Sequence, residues 1–216
     1  MHFGRRERWG AVLVGAAGMT PLLAAARNEP KGMPMTAEST PEEICRLLDL
    51  EPNATCGSVR VTFVSKLSIA PGGLPAPFAD GRPLGSALYF LVTPDMPVRL
   101  HRIRNDQLYH AYLGDPLEVF LLHGDGSSER MVVGSDLRGG QRPQLLIPGS
   151  TFHTARVIGQ GRWFLGASTE WPGVIPADVE LGDVEVLAGK FPGVAEEIRA
   201  IAASAKQVVA SGVGPR

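Results

Sequence analysis

Apolar residues fall in short runs along this chain, and their spacing changes from helical to alternating soon after residue 40. Thr40-Pro41-Glu42-Glu43 combines a capping hydroxyl, proline at the first helical position and acids in the first turn. That helix runs through Ile44, Leu47 and Leu48 and stops before Pro52. Over Val59–Lys66 the period drops to two, with Val59, Val61 and Phe63 on one side, which predicts a strand. Ala70–Pro83 reads as a Pro/Gly loop. Further strands are predicted over Ser86–Thr93, Val98–Ile103, Leu108–Leu113, Leu117–Leu122, Arg130–Val133, Leu145–Ile147, His153–Val157 and Arg162–Ser168, with a hairpin turn at Gly124-Asp125-Gly126. Val179–Val186 is predicted as a last strand. Val194, Ile198 and Ile201 set a helical period over Val194–Ala205.

Strands this short and frequent, punctuated by 26 glycines and 18 prolines, predict an all-β antiparallel jelly roll with short N-terminal and C-terminal helices. The 216 residues suit one domain with extensions: a leader at 1–35, a folded domain at 36–206 and a flexible tail at 207–216. In the leader, Arg5, Arg6 and Arg8 precede an uncharged run from Trp9 to Ala26, the order of parts of a secretory signal. The run is rich in Gly and Ala and broken by Thr20-Pro21, so the reading preferred is an upstream start, with Met33 or Met35 opening the domain. A cytoplasmic location is therefore expected, with export as the alternative.

Charge removes some partner classes. The net charge is −1, and no Lys/Arg cluster follows the first eight residues, so nucleic acid is not an expected partner. Beyond the leader, no segment is long and apolar enough for a membrane span. Cys45 and Cys56 are the two cysteines, without metal-type spacing, and are expected as free thiols.

Two segments concentrate the chemistry: PVRLHRIRNDQLYHAYLG at Pro97–Gly114 and GQRPQLLIPGSTFH at Gly140–His153. Together with SALYFLV at Ser86–Val92, GDPLEVFLL ending at Leu122, Pro172-Gly173, ADVEL at Ala177–Leu181 and Leu48-Asp49-Leu50-Glu51-Pro52, they resemble the cupin superfamily, and within it the DUF985 or Cupin_5 group. The resemblance covers Thr36 to about Phe191. It implies a cupin-type jelly-roll barrel, a small-molecule substrate held inside it, and a homodimer. His101 and His153 match the histidine positions of the two cupin motifs, Gly114 the closing glycine and Pro148 the second-motif proline. Several letters depart: Asp95 and Ser150 replace glycines, Ile103 stands for a second histidine, and Gln107 stands for the metal-binding glutamate. Asn53-Ala54-Thr55-Cys56-Gly57 replaces the family's usual HPEGG.

Strand alternation extends the expected site. With His101 facing the interior, Arg99 joins it; Gln107 and Tyr109 share a face on the next strand, and Thr151 shares one with His153. His110 points the other way. The expected catalytic set is His101, His153 and Tyr109, with Gln107, Arg99, Thr151 and Gln144 as substrate-binding residues. Two imidazoles and a phenol suit proton transfer, which predicts a metal-independent isomerase, epimerase or cyclase acting on a small organic molecule. No cofactor is expected. The alternatives are a cupin enzyme with one divalent ion on His101, Gln107 and His153, and a non-catalytic small-molecule-binding cupin.

Overall fold

The computed structural model describes residues 39–201; the predicted leader at 1–35 and tail at 207–216 lie outside them. The first helix, α1 (Pro41–Leu48), begins as its sequence dictates, with Thr40 Oγ1 accepting a hydrogen bond from the Glu43 amide. It ends where Asp49 takes a left-handed conformation, φ 49°. Ile44 is its fully buried residue, packed among Leu50, Leu91, Trp163 and Leu165.

The strands follow in chain order: β1 (Glu51–Pro52), β2 (Ser58–Val64), β3 (Ser68–Ile69), β4 (Arg82–Pro83), β5 (Ser86–Val92), β6 (Val98–Ile103), β7 (Gln107–Gly114), β8 (Leu117–Leu122), β9 (Ser128–Val133), β10 (Gln144–Ile147), β11 (Phe152–Val157), β12 (Phe164–Glu170) and β13 (Val179–Leu181). They form two antiparallel sheets, one in the order β1-β2-β5-β12-β7-β10 and the other β13-β6-β11-β8-β9, with β3 and β4 as a separate pair. The non-sequential neighbours in both sheets are those of a jelly roll.

Alternation explains the layering. On β8, Leu117, Val119 and Leu121 enter the core between the sheets with Phe90, Tyr109 and Phe164. Phe120 and Leu122 face outward and pack with Leu100 under α2 (Val184–Lys190) and the helical residues 195–201. Also outside, Glu118 pairs with Arg130 and Arg156 on the neighbouring strands.

The predicted last strand, Val179–Val186, divides at Gly182. Its second half is the start of α2, because Asp183 accepts hydrogen bonds from the Glu185 and Val186 amides and caps a helix there. Leu187 and Ala188 on that helix are buried. The predicted loop over Ala70–Pro83 ends in β4.

Candidate active site

The two motif histidines lie on adjacent strands, β6 and β11, directly opposite each other in register. The next register pair is Ala155 with Val98, so three steps on β6 match two on β11, and β6 carries a bulge. Val98 and His101 both face inward, while Leu100 packs beneath the helices. Arg99 is turned out of the interior: its side chain is exposed and donates from Nη1 to the Ala54 carbonyl at the cavity rim. Simple alternation places Arg99 beside His101; the bulge turns it outward instead.

Both imidazoles are oriented by backbone carbonyls two residues earlier. His101 Nδ1 donates to Arg99 O at 2.7 Å, and His153 Nδ1 to Thr151 O at 3.3 Å. Each ring therefore presents an unprotonated Nε2 in its neutral form. His153 Nε2 accepts a hydrogen bond from the Tyr109 hydroxyl at 3.1 Å. His101 Nε2 faces the Cys56 thiol, with Sγ at 3.9 Å.

Cys56 arrives there through the loop joining β1 to β2. Asn53 Oδ1 gathers the amides of Thr55 and Cys56 and the Thr55 hydroxyl, and Cys56 bridges to Val98. The following Gly57 has φ 54°, and a Cβ there would stand 2.1 Å from the Leu91 carbonyl. Neither Cys45 nor Cys56 forms a disulfide.

A cavity of about 420 Å³ lies between the sheets at this point. His101 enters from one sheet; Gln107, Tyr109, Ser168 and Glu170 enter from the facing one, and Cys56 closes one end. Apolar side chains, among them Val59, Val61, Leu88, Phe90 and Ile103, make up most of the remaining wall. Val174–Pro176 completes it, held by a buried ion pair between Arg82 and Asp178, whose other carboxylate oxygen accepts from the Ile175 amide.

The expected residues thus divide. His101, Gln107 and Tyr109 line the cavity. His153 is fully buried behind Tyr109. Thr151 is buried but contributes only its carbonyl to the histidine pair. Gln144 lies on the opposite face of its sheet, donating to His110 Nδ1, and His110 in turn contacts Thr169 Oγ1. Gln144 is on β10 opposite the outward-facing His110, so its parity takes it away from the interior.

Two lining residues with chemistry to offer, Cys56 and Glu170, are additions. Glu170 accepts from Ser86 Oγ at 2.6 Å and from Ser168 Oγ at 2.5 Å, and Gln107 Nε2 makes a long 3.5 Å contact to Ser168 Oγ. The signal for Glu170 is the polar alternation Ser168, Glu170 at the end of an otherwise apolar strand, which continues two residues past the predicted end of β12.

Burial governs the electrostatics. Desolvation lowers the pKa of His101, and that of His153 falls well below the usual value, His101 adding to the effect. Both rings are neutral at pH 7. Burial pushes the Tyr109 phenol well up and the Cys56 thiol to about 11, so both stay protonated. Burial also raises the Glu170 pKa, against the hydrogen bonds from Ser168 and Ser86.

The side chains present do not fit a resident divalent ion. His153 Nε2 is engaged by Tyr109, Gln107 is a neutral amide, and Glu170, the carboxylate on the cavity wall, has its two oxygens engaged by Ser86 and Ser168. Among the described residues, no three His, Cys, Asp or Glu side chains form a group that could hold a metal ion.

Two antiparallel sheets in jelly-roll order, with paired imidazoles beside an interior cavity, define a cupin-type sandwich. The chain belongs to the Cupin_5 family of the cupin superfamily (DUF985), whose model matches residues 42–182. Among solved structures it is similar to a hypothetical protein from Leishmania major, with 23% identity over 76% of this chain and 98% of that one and a TM-score of 0.69. A protein from Shewanella oneidensis is comparably similar, with 23% identity over 76% and 97% of the two chains and a TM-score of 0.67. At this identity the likeness concerns the fold. No curated protein matches the chain. Among the described residues no helix is long and apolar enough to cross a membrane.

Proposed function

We propose that the cavity is the active site of an isomerase, epimerase or cyclase that moves a proton at the carbon beside a carbonyl group of a small organic molecule. The observation that carries this reading is the His101 imidazole: neutral, anchored through Nδ1–H on a backbone carbonyl, lining the cavity, and with Nε2 facing only the weakly bonding Cys56 thiol at 3.9 Å. In the proposed step His101 Nε2 takes the proton, and the electron pair of the broken C–H bond moves onto the carbonyl oxygen as an enolate. The Gln107 amide N–H donates to that oxygen. The proton returns to carbon either from His101 itself or from the Glu170 carboxylic acid on the facing sheet; in the second case His101 then releases its proton to water and Glu170 regains one. No oxidant or second substrate enters the balance.

His153 acts one place removed from the substrate. It accepts the Tyr109 hydrogen bond and so positions the phenol, rather than exchanging a proton with the substrate itself. Retention of a carboxyl with a raised pKa on the wall opposite a neutral imidazole supports acid and base roles on the two faces of a bound ligand.

The test is hydrogen–deuterium exchange at the carbons beside the carbonyl of 4-phenyl-2-butanone, followed by NMR in D2O. The wild-type protein is expected to accelerate exchange, and His101→Ala to abolish the acceleration while keeping the wild-type circular dichroism. Acceleration that survives in His101→Ala removes this mechanism. Saturable binding without any exchange would instead make the protein a non-catalytic binding cupin.

A further inference from the structure

The charge pattern of the cavity narrows what it can hold. Among the described residues that line it there is no lysine or arginine. Its one carboxylate, Glu170, has one oxygen engaged by Ser86 and the other by Ser168. Arg99 lies at the rim, exposed and donating to the Ala54 carbonyl rather than into the interior. An anion entering this space would lose its water and find no counter-charge on the wall, only Arg99 at the rim, and it would meet Glu170 as a like charge wherever that group is ionised.

An uncharged polar head fares differently. Gln107 is 5% exposed, lines the cavity, and has only the 3.5 Å contact to Ser168 Oγ as a side-chain hydrogen bond. Its amide is therefore available to a ligand from a buried position, facing His101 on the other sheet. Away from this polar end the wall is formed by Val59, Val61, Leu88, Phe90 and Ile103. The volume, about 420 Å³, is that of a site for one small molecule.

We propose that the cavity takes uncharged ligands with a carbonyl head and an apolar body, and turns away carboxylates and phosphates of the same shape. The head meets the Gln107 amide and the body lies along the valine, leucine and phenylalanine wall. This assignment rests on the cavity being the active site and adds the class of substrate to it.

The probes are 4-phenyl-2-butanone and its carboxylate counterpart 3-phenylpropanoate at neutral pH. Binding of each is titrated calorimetrically and followed as a shift in melting temperature. The ketone is expected to bind and to raise the melting temperature, with the carboxylate at least about tenfold weaker. Val61→Lys, at a rim position 58% exposed, is expected to bring the carboxylate up towards the ketone.

Equal or tighter binding of 3-phenylpropanoate to the wild-type protein would overturn the assignment, and so would the absence of ketone binding. Binding of the ketone without proton exchange would leave the ligand class standing and remove only the proton-transfer reading.

Discussion

His101 and His153 face each other across the β6–β11 ladder with ring centroids 4.3 Å apart and planes at 52°, yet only His101 lines the cavity. Two imidazoles this close cannot both be charged at low cost, and burial depresses the pKa of each. Because their folded pKa values lie below the unfolded value of 6.5, the stability they contribute is present above that pH and is lost as pH falls through the folded values. Melting temperature should therefore drop between pH 7 and pH 5, with a slope of at most about 1.4 kcal/mol per pH unit for each ring. Glu170 works in the other sense, since its raised pKa gives stability that fades as pH rises. His153→Gln isolates the histidine effect and is expected to flatten the acid limb; an unchanged limb would place its origin elsewhere.

Tyr109→Phe removes the donor to His153 Nε2 and leaves a fully buried acceptor unmatched. The expected cost is about 1–3 kcal/mol, read as a lower denaturation midpoint with an unchanged denaturant slope. Ketone exchange should slow as well, because the phenol faces the cavity. A variant as stable as wild type would mean that the phenol and imidazole are not coupled.

Arg99→Ala and Gln144→Ala both remove side chains that stand outside the cavity. Arg99 serves His101 through its backbone carbonyl, which alanine retains. Both variants should keep ketone exchange within about twofold of wild type, the scale of ordinary surface substitutions. A large loss in Arg99→Ala would return the guanidinium to the site.

Asp178→Ala removes the buried partner of the Arg82 guanidinium, leaving it the more exposed Asp80, and frees the Ile175 amide. Because Asp80 still neutralises Arg82, the expected cost stays below the figure of about 3–5 kcal/mol for a buried charge left unpaired. The 3₁₀ turn at Pro176–Asp178 follows the Val174–Pro176 wall directly, so ketone affinity should fall together with stability. Calorimetry and a ligand titration on one sample would separate the effects.

Much of this arrangement was legible in the chain. Alternation marked β6 and β8 at their observed ends, and the Thr40-Pro41 cap marked α1. The two motif segments carried His101, Tyr109 and Gln107, which the cavity brings together. What escaped were effects that period-two reasoning cannot contain. A bulge moved Arg99 off the inner face, a side-chain cap turned the predicted strand beyond Gly182 into α2, and an Asn53-centred turn delivered Cys56 from a distant loop. Each depends on where a single backbone group finds its partner. The depth of His153 behind Tyr109 is likewise a matter of packing between sheets, which strand parity does not address.

The bulge in β6 has a consequence for mutational tolerance. The group that aims the His101 ring is a carbonyl, and every amino acid placed at position 99 would bring one. A saturation scan should thus find a permissive site two residues from an intolerant one, although the first holds the second in place. Orientation is here encoded in chain geometry, and a profile of allowed side chains would pass over it.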